Sequence, residues 1–84
     1  MTTEIIKFWG KSCGNCRAQE GILNAVLAEH PDVKLTKHDI AETPELVEQY
    51  EITALPTMLI VKNGEITEKL VGLKPKAAIL KALS

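Results

Sequence analysis

The sequence predicts a single α/β domain in which helices flank a four-stranded mixed sheet, with elements in the order β-α-β-α-β-β-α. Segments rich in β-branched and aromatic residues alternate with segments in which apolar residues recur at helical period. The pair Asn63-Gly64 separates two strand-like segments, a spacing typical of a tight hairpin. No repeat or linker interrupts the 84 residues, so we expect residues 1–84 to form one domain.

The first half of the chain is predicted to form two parallel strands joined by a helix. Glu4–Trp9 is rich in β-branched and aromatic residues and is ended by Gly10-Lys11-Ser12. From Gly14 onward the apolar residues follow a helical period, and His30-Pro31-Asp32 ends that helix. Val33–Asp39 alternates in polarity and predicts a second strand, which runs parallel to the first because the helix between them is a crossover.

The second half is predicted to contain a short helix, a hairpin and a final helix. Thr43-Pro44-Glu45 has an N-cap residue, a proline for the first helical position and an acid for the first turn. This helix is expected to extend to about Tyr50. Thr57–Lys62 and Glu65–Val71 form the two strands of the hairpin, and Lys74-Pro75 opens the last helix.

Composition excludes several classes of protein. Apolar residues make up 45% and charged residues 25% of the chain, which are ordinary globular values. The longest apolar run, Met58–Val61, is far shorter than the roughly 20 residues that a transmembrane helix needs, so no membrane association is expected. A net charge of −1 argues against a nucleic-acid-binding surface. The sequence from Met1 to Glu4 has no export signal, and we therefore expect a cytoplasmic location.

Two cysteines, Cys13 and Cys16, lie at the predicted start of the first helix. A bridge between them would close too short a loop to stabilise the fold much, which leaves inert thiols, half a metal site or a redox pair. A helix N-terminus stabilises a thiolate, and a second thiol one turn later lies on the same side of the helix. This position favours a redox pair. Lys11 and Arg17 flank it as cations that we interpret as solvated.

A metal site would need further ligands, and the candidates are His30 and His38. Thirteen residues separate Cys16 from His30, which fits a zinc finger, but seven separate the two histidines, which exceeds the usual spacing. The predicted elements place one histidine at the end of a helix and the other at the end of a strand. No metal ligand is therefore predicted within one chain.

Three segments together resemble the thioredoxin superfamily. Phe8–Arg17 (FWGKSCGNCR) is similar to the active-site segment, in which a strand ends in Phe-Trp ahead of a C-x-x-C pair. Tyr50–Ile60 (YEITALPTMLI) is similar to the stretch around the family's cis-proline. Lys62–Glu65 matches the hairpin, and Val71-Gly72 precedes the final helix. The likeness covers nearly the whole chain, although the N-terminal strand and helix of longer members are expected to be missing.

The resemblance implies a minimal thioredoxin fold with strand order 2-1-3-4 and thiol–disulfide exchange on protein disulfides. Cys13 would be the nucleophile and Cys16 the resolving thiol, and their redox-active disulfide would need no metal or organic cofactor. The electron donor would be of the thioredoxin-reductase type, and the protein would act as a monomer. A cis Leu55–Pro56 bond would face the thiols and leave backbone groups free for an extended substrate. The implied substrate-binding residues are Ser12, Gly14, Asn15, Ala54, Leu55, Pro56 and Gly72.

The sequence departs from the thioredoxin pattern near the thiols. Ser12 stands where thioredoxins carry a second Trp, which predicts a smaller and more polar docking surface beside Cys13. Gly14-Asn15 replaces Gly-Pro, a change that shifts the redox potential in relatives. Lys7 stands where thioredoxins bury an aspartate that assists the second cysteine.

The side chain of Lys7 has two possible placements, because a cation is costly to bury in the middle of a strand. We expect it to extend to the surface and pair with a carboxylate. The candidate carboxylates are Glu4, Asp39 and Glu68. Alternatively, it lies near the thiol pair and favours the thiolate by charge.

Two other functions stay open. A glutathione-coupled, glutaredoxin-like activity fits the short chain. However, the glutaredoxin Thr-Val-Pro is here Ala54-Leu55-Pro56, and the Gly-Gly-x-Asp clamp has no counterpart around Gly72-Leu73-Lys74. The third possibility is a non-catalytic interaction or metal-binding module with a thioredoxin fold.

Overall fold

The computed structural model describes residues 2–84, which form four strands and three helices in the predicted order. Strand pairing and helix packing enclose two small apolar cores. The elements are β1 (Thr3–Trp9), α1 (Gly14–Glu29), β2 (Lys34–Asp39), α2 (Pro44–Gln49), β3 (Thr57–Lys62), β4 (Glu65–Val71) and α3 (Lys76–Leu83).

The strands form one mixed sheet in the order β2-β1-β3-β4, which confirms the predicted strand order. β1 runs parallel to β2 and antiparallel to β3, and β3 pairs with β4 as an antiparallel hairpin. Asn63 and Gly64 form the hairpin turn with φ angles of 54° and 82°. β1 is therefore an inner strand, and its C-terminal end delivers the chain to the thiol pair.

Each face of the sheet carries its own apolar core because side chains alternate along the strands. On the face covered by α1 and α3, the buried residues are Ile5, Leu23, Val26, Met58, Ile60, Ile79 and Ala82. On the opposite face, Phe8, Ile52 and Leu59 pack with half-buried residues that include Tyr50. Burying one large aliphatic or aromatic side chain contributes about 1.5–3 kcal/mol, so these cores are the main source of stability.

The predicted element boundaries differ from the structure by one residue at the starts of β1, which begins at Thr3, of β2, which begins at Lys34, and of α3, whereas α2 begins as predicted. Pro75 is the N-cap of α3, and the helix itself begins one residue later. Thr43 is the N-cap of α2, but its hydroxyl donates to the carbonyl oxygen of Asp39 at 2.9 Å instead of capping the helix. This hydroxyl bond ties the start of α2 to the end of β2.

Of the helices formed by residues 2–84, none is long and apolar enough to cross a membrane.

Candidate functional site

Cys13 and Cys16 form a disulfide at the N-terminus of α1, with their Cα atoms 5.3 Å apart. Cys13 is the N-cap residue, and its Sγ accepts a hydrogen bond from the backbone N–H of Cys16 at 3.1 Å. Cys13 is half-buried, whereas Cys16 is 3% exposed. A reagent that approaches from solvent therefore meets Cys13 first.

A cleft of about 340 Å³ opens beside Cys13. Its lining residues are Gly10, Lys11, Ser12, Cys13, Asp39, Ile40, Ala41 and Leu55. Gly10 lets Leu55 approach closely, because a Cβ at that position would lie 3.1 Å from the Leu55 Cδ1 atom. The cleft thus brings together the thiol, the loop before it and the residue that precedes Pro56.

Ile40 and Ala41 were not among the residues that the sequence predicted for this site. They directly follow β2, and the backbone N–H of Ile40 donates to the carbonyl oxygen of Trp9 at 3.0 Å. β1 and β2 are parallel, so their C-terminal ends meet at one edge of the sheet, where ligand sites of α/β sheets lie. That rule is the sequence signal by which these two residues could have been found.

The loop that contains Pro56 is held by hydrogen bonds on both sides. The Leu55–Pro56 bond is cis, as the resemblance implied. The Pro56 carbonyl oxygen accepts from the backbone N–H of Gly72 at 2.8 Å, and the Thr57 hydroxyl donates to the Ala54 carbonyl oxygen at 2.6 Å. The Pro56 carbonyl oxygen is therefore already bonded within the fold, and the pairing of other backbone groups of this loop with an extended substrate stays a prediction.

Of the remaining predicted substrate-binding residues, some line the cleft and others do not. Ser12 is exposed and lines it, which places a hydroxyl beside the thiol, but most of the cleft lining is apolar and the more polar docking surface stays a prediction. Gly14, Asn15 and Ala54 are exposed but do not line it. Apart from its chain neighbours and its own helix backbone, a Cβ built on Gly14 would meet no atom of residues 2–84 within 4 Å, so a side chain would have open space there.

Lys7 is buried at the site, and the expectation that it extends to the surface is wrong. Its side chain faces α1, its exposed fraction is 2%, and its Nζ donates to the carbonyl oxygen of Cys16 at 3.0 Å. Two of the three carboxylates proposed as its partners make other contacts: Glu4 accepts from the Thr36 hydroxyl, and Asp39 accepts from the backbone N–H of Ala41. Among residues 2–84 no ion pair joins Lys7 to Glu4, Asp39 or Glu68. The alternative placement, close to the thiol pair, is the one observed.

A second cleft, of about 390 Å³, lies behind Cys16 and is rich in cations. Its charged lining residues are Lys7, Lys11, Arg17, Glu20 and Lys37. Lys37 and Glu20 form an ion pair at 2.5 Å, and the Lys37 hydrogen bond lowers the pKa of the Glu20 carboxyl. Burial lowers the pKa of Lys7, the Glu20 carboxylate partly offsets that effect, and the Lys37 ammonium adds to it.

Gln19 fixes the loop after β4 to the helix that carries the thiols. Its side chain is fully buried, and its amide both donates to the Lys74 carbonyl oxygen at 3.0 Å and accepts from the Lys74 N–H at 2.7 Å. Lys74 lies two residues after Gly72, whose N–H bonds Pro56. Gln19 was not predicted as part of the site, since no motif marks a glutamine that bonds a backbone 55 residues away.

The two histidines lie apart from the thiol pair. His30 is the C-cap of α1, and the ring of His38 on β2 packs against Phe8 with centroids 5.4 Å apart. Within the described part of the chain, no group of three or more His, Cys, Asp or Glu side chains is arranged to hold a metal ion.

The chain is similar to known proteins along most of its length. The family model described as thioredoxin matches residues 2–84. The thioredoxin of Chlamydia trachomatis is 38% identical over 80 residues, which span 95% of this chain and 78% of that protein. The bifunctional thioredoxin reductase/thioredoxin of Mycobacterium leprae is 30% identical over 81 residues, or 95% of this chain and 18% of that protein. The crystal structure of oxidised mitochondrial thioredoxin 3 from Saccharomyces cerevisiae matches with a TM-score of 0.89 at 30% identity, covering 96% of this chain and 76% of that one.

Proposed function

Because this chain belongs to the thioredoxin family of protein-disulfide oxidoreductases, we propose that it reduces protein disulfides through a dithiol–disulfide cycle of Cys13 and Cys16. The observation that carries this proposal is the unequal exposure of two disulfide-bonded cysteines at a helix N-terminus. Cys13 is half-buried, so its sulfur can attack a substrate disulfide in the reduced protein and can be attacked by a reductant in the oxidised protein. Cys16 is shielded from solvent.

The cycle begins with the reduced protein. The Cys13 thiolate attacks one sulfur of the substrate disulfide, which forms a mixed disulfide and releases the other substrate sulfur as a thiolate. The Cys16 thiolate then attacks the Cys13 sulfur, closes the Cys13–Cys16 disulfide and releases the second substrate sulfur. Two protons from solvent complete the reduced substrate dithiol. The protein loses two electrons, and the substrate gains them.

Substrate contact is assigned to the cleft beside Cys13 and to its neighbouring loop. Ser12 and Leu55 line the cleft, and the Pro56 loop is fixed against Gly72. Gly14, Asn15 and Ala54 complete the proposed contact set from exposed positions around it. A rigid loop beside the nucleophile lowers the entropy cost of holding an extended substrate segment.

Regeneration requires a partner, since the disulfide must be reduced again after each turnover. We propose a thioredoxin-reductase-type electron donor, in keeping with the reductase named as part of the Mycobacterium leprae relative. The disulfide itself is the only redox group that the cycle needs, and no further cofactor is proposed. A monomer in the reducing cytoplasm would fit this role, because that compartment keeps dithiols available.

The proposal is tested with insulin as the disulfide substrate and a thioredoxin reductase with its nicotinamide donor as the electron source. Wild type should turn over, and Cys13→Ser should abolish turnover because attack is lost. Cys16→Ser should accumulate a mixed disulfide, visible by mass spectrometry, because attack occurs without resolution. Alkylation of the reduced protein near neutral pH should label Cys13 well before Cys16.

The matched control is Ala18→Ser, which introduces the same hydroxyl at an exposed position of α1 and should turn over like wild type. Turnover by Cys13→Ser, or faster labelling of Cys16, would show that the two roles are assigned wrongly. Turnover with glutathione and its reductase, but none with thioredoxin reductase, would identify the glutaredoxin-like alternative.

A further inference from the structure

Lys7 is a buried titratable group that the cycle described so far does not use. It lies in the middle of β1, on the face that packs against α1, and its ammonium contacts the backbone of the resolving cysteine. A buried cation must be compensated by hydrogen bonds or by an opposite charge, since burial without either costs several kcal/mol. The question is which group compensates Lys7.

Among residues 2–84 no carboxylate forms an ion pair with Lys7, and the nearby anion, Glu20, is shared with Lys37. Across the parallel ladder its register partner is Lys37, another cation on the same face. The carboxylate in this cleft, Glu20 on α1, is paired with Lys37 at 2.5 Å. From β3 the facing residue is Met58, which is uncharged. The remaining charged groups of the cleft, Lys11 and Arg17, are cations as well.

The state of Cys16 changes that balance. In the oxidised protein Cys16 is neutral, and within residues 2–84 the Lys7 ammonium has one hydrogen-bond acceptor, the Cys16 carbonyl oxygen. When the disulfide is reduced and Cys16 ionises, an anion forms on the residue whose backbone carbonyl Lys7 contacts, and Lys7 and Cys16 line the same cleft. An opposite charge within about 4–6 Å stabilises the charged form of both partners. The thiolate of Cys16 would therefore supply a counter-ion that Lys7 does not share with Lys37.

We propose that Lys7 is a positioning residue for the resolving half of the exchange reaction: its ammonium holds the first turn of α1 at Cys16 and stabilises the Cys16 thiolate that attacks the mixed disulfide. The inference rests on the proposed cycle, because it assigns Lys7 to the second of its two steps. In that step the thiolate that Lys7 stabilises forms the new S–S bond with Cys13, and the substrate sulfur leaves with the electron pair of the bond that breaks.

The positive charge of Lys7 should affect resolution by Cys16 and leave the initial attack by Cys13 nearly unchanged. Cys13 lies at the N-cap and opens onto the other cleft, whose lining does not include Lys7. Its thiolate is served by the helix N-terminus instead. Removing the charge of Lys7 should therefore slow resolution at neutral pH while initial attack keeps its own pH dependence.

The test follows both steps in one stopped-flow experiment with reduced protein and the aromatic disulfide DTNB. Attack by Cys13 releases one nitrothiobenzoate anion, and attack by Cys16 on the resulting mixed disulfide releases a second. Rates are recorded from about pH 5 to 9 for wild type, Lys7→Met, Lys7→Gln and Lys7→Arg. Gln keeps a donor for the Cys16 carbonyl without charge, and Arg keeps both donor and charge. Lys34→Met removes an exposed cation from β2 as the control.

In Lys7→Met and Lys7→Gln we expect the pH midpoint of the second phase to rise by about one unit, which slows that phase about tenfold below its midpoint. The first phase should keep its midpoint in all variants. Lys7→Arg should restore the second phase, and Lys34→Met should match wild type in both. If Lys7→Met folds poorly by circular dichroism, the Gln and Arg variants decide the question.

The proposal is overturned if Lys7→Gln resolves like wild type, since a neutral donor would then suffice. It is also overturned if both phases shift together or if neither shifts. A failure of the cycle itself looks different, because wild type would then release no second nitrothiobenzoate or would not reduce insulin.

Discussion

Glycine is required by the backbone conformation at one position near the thiols and is not required at another. Gly72 has a φ of +84°, a conformation that residues with a Cβ rarely adopt, and its N–H holds the Pro56 carbonyl at 2.8 Å. Gly21 lies in the middle of α1, where a Cβ would meet no atom within 4 Å and a glycine only weakens the helix. These two glycines therefore make opposite contributions to the folded state.

The glycine pair gives a prediction at this scale. Gly72→Ala should lower the free energy of unfolding by about 1–2 kcal/mol, because the substitution forces a side chain into the left-handed region. It should also raise KM for insulin, since the Pro56 loop loses its fixed partner. Gly21→Ala should raise the free energy of unfolding by about 0.5–1 kcal/mol and leave KM unchanged. Urea unfolding and insulin kinetics check both, and equal effects of the two substitutions would contradict the argument.

The sequence predicts some of these residues and not others for a physical reason. Cys13 and Cys16 could be placed because the end of a strand, a break and a helix start are local features. The burial of Lys7 could not be predicted. Alternation along β1 places its Cβ on the face covered by α1, but a long flexible side chain can reach either solvent or a backbone carbonyl. Only the packed helix decides between these two, through the Cys16 carbonyl oxygen.

At the scale of elements, Gln19 joins the thiol-bearing helix α1 to the segment between β4 and α3. Its buried amide satisfies both the N–H and the carbonyl oxygen of Lys74, as a neighbouring strand would. Gln19 thus connects α1 to Lys74. Two residues earlier in the chain, the Gly72 N–H donates to the Pro56 carbonyl oxygen. The Gln19 amide therefore adds a side-chain connection between α1 and the Pro56 loop to the β1–β3 ladder that already sets their spacing.

Removing this connection should loosen the loop without touching either thiol. Gln19→Leu should lower the free energy of unfolding by about 1–3 kcal/mol, because two backbone groups of Lys74 lose their partners in a partly buried setting. KM for insulin should rise, while the release of nitrothiobenzoate from the small reagent DTNB stays close to wild type. The control is Gln49→Leu at an exposed position of α2, which should change stability by no more than about 0.5 kcal/mol. Parallel losses with insulin and DTNB would indicate a general structural defect instead.

The strands and helices can largely be predicted from the sequence, whereas the hydrogen bonds between segments that are distant in the chain cannot. The β3 and β4 boundaries follow from β-branched runs on either side of Asn63-Gly64, which is a local turn signal. The start of α3 was placed near Pro75, since proline favours a helix start, although it serves as N-cap and not as the first helical residue. Gln19 resembles any polar residue of an amphipathic helix until α3 and its preceding loop are packed beside it.

At the scale of the whole molecule, the charge distribution is uneven. The chain has a net charge of −1, yet four cations and one carboxylate surround the cleft behind Cys16. One of those cations, Lys7, is buried in the oxidised protein, and the nearby anion, Glu20, is shared with Lys37. Burial of such a group costs stability, and replacement of buried ion pairs by apolar side chains of similar volume is often neutral or stabilising. Under the role proposed for Lys7, this arrangement would favour the resolving step at a cost to the stability of the oxidised state.

The free-energy cost of burying the Lys7 ammonium depends on pH in the oxidised protein. Burial lowers the pKa of Lys7 below its ordinary value of 10.5, so at pH values between the two the unfolded chain binds more protons than the folded one. The free energy of unfolding therefore rises with pH across that window, as the folded state loses its buried charge. Below the lowered pKa the cost is fully present, and above 10.5 it is absent.

Lys7→Met should accordingly be more stable than wild type by about 1–2 kcal/mol at neutral pH, measured by urea unfolding of the oxidised forms. The difference should shrink as the pH rises toward 10.5 and vanish above it, because wild type then carries a neutral amine at the same place. Lys34→Met, which removes an exposed cation, should show a difference from wild type that stays flat over the same range. A Lys7→Met advantage that is constant up to pH 10.5 would mean that packing, and not charge, explains it. A variant less stable than wild type at neutral pH would mean that the Cys16 hydrogen bond outweighs the cost of burying the ammonium.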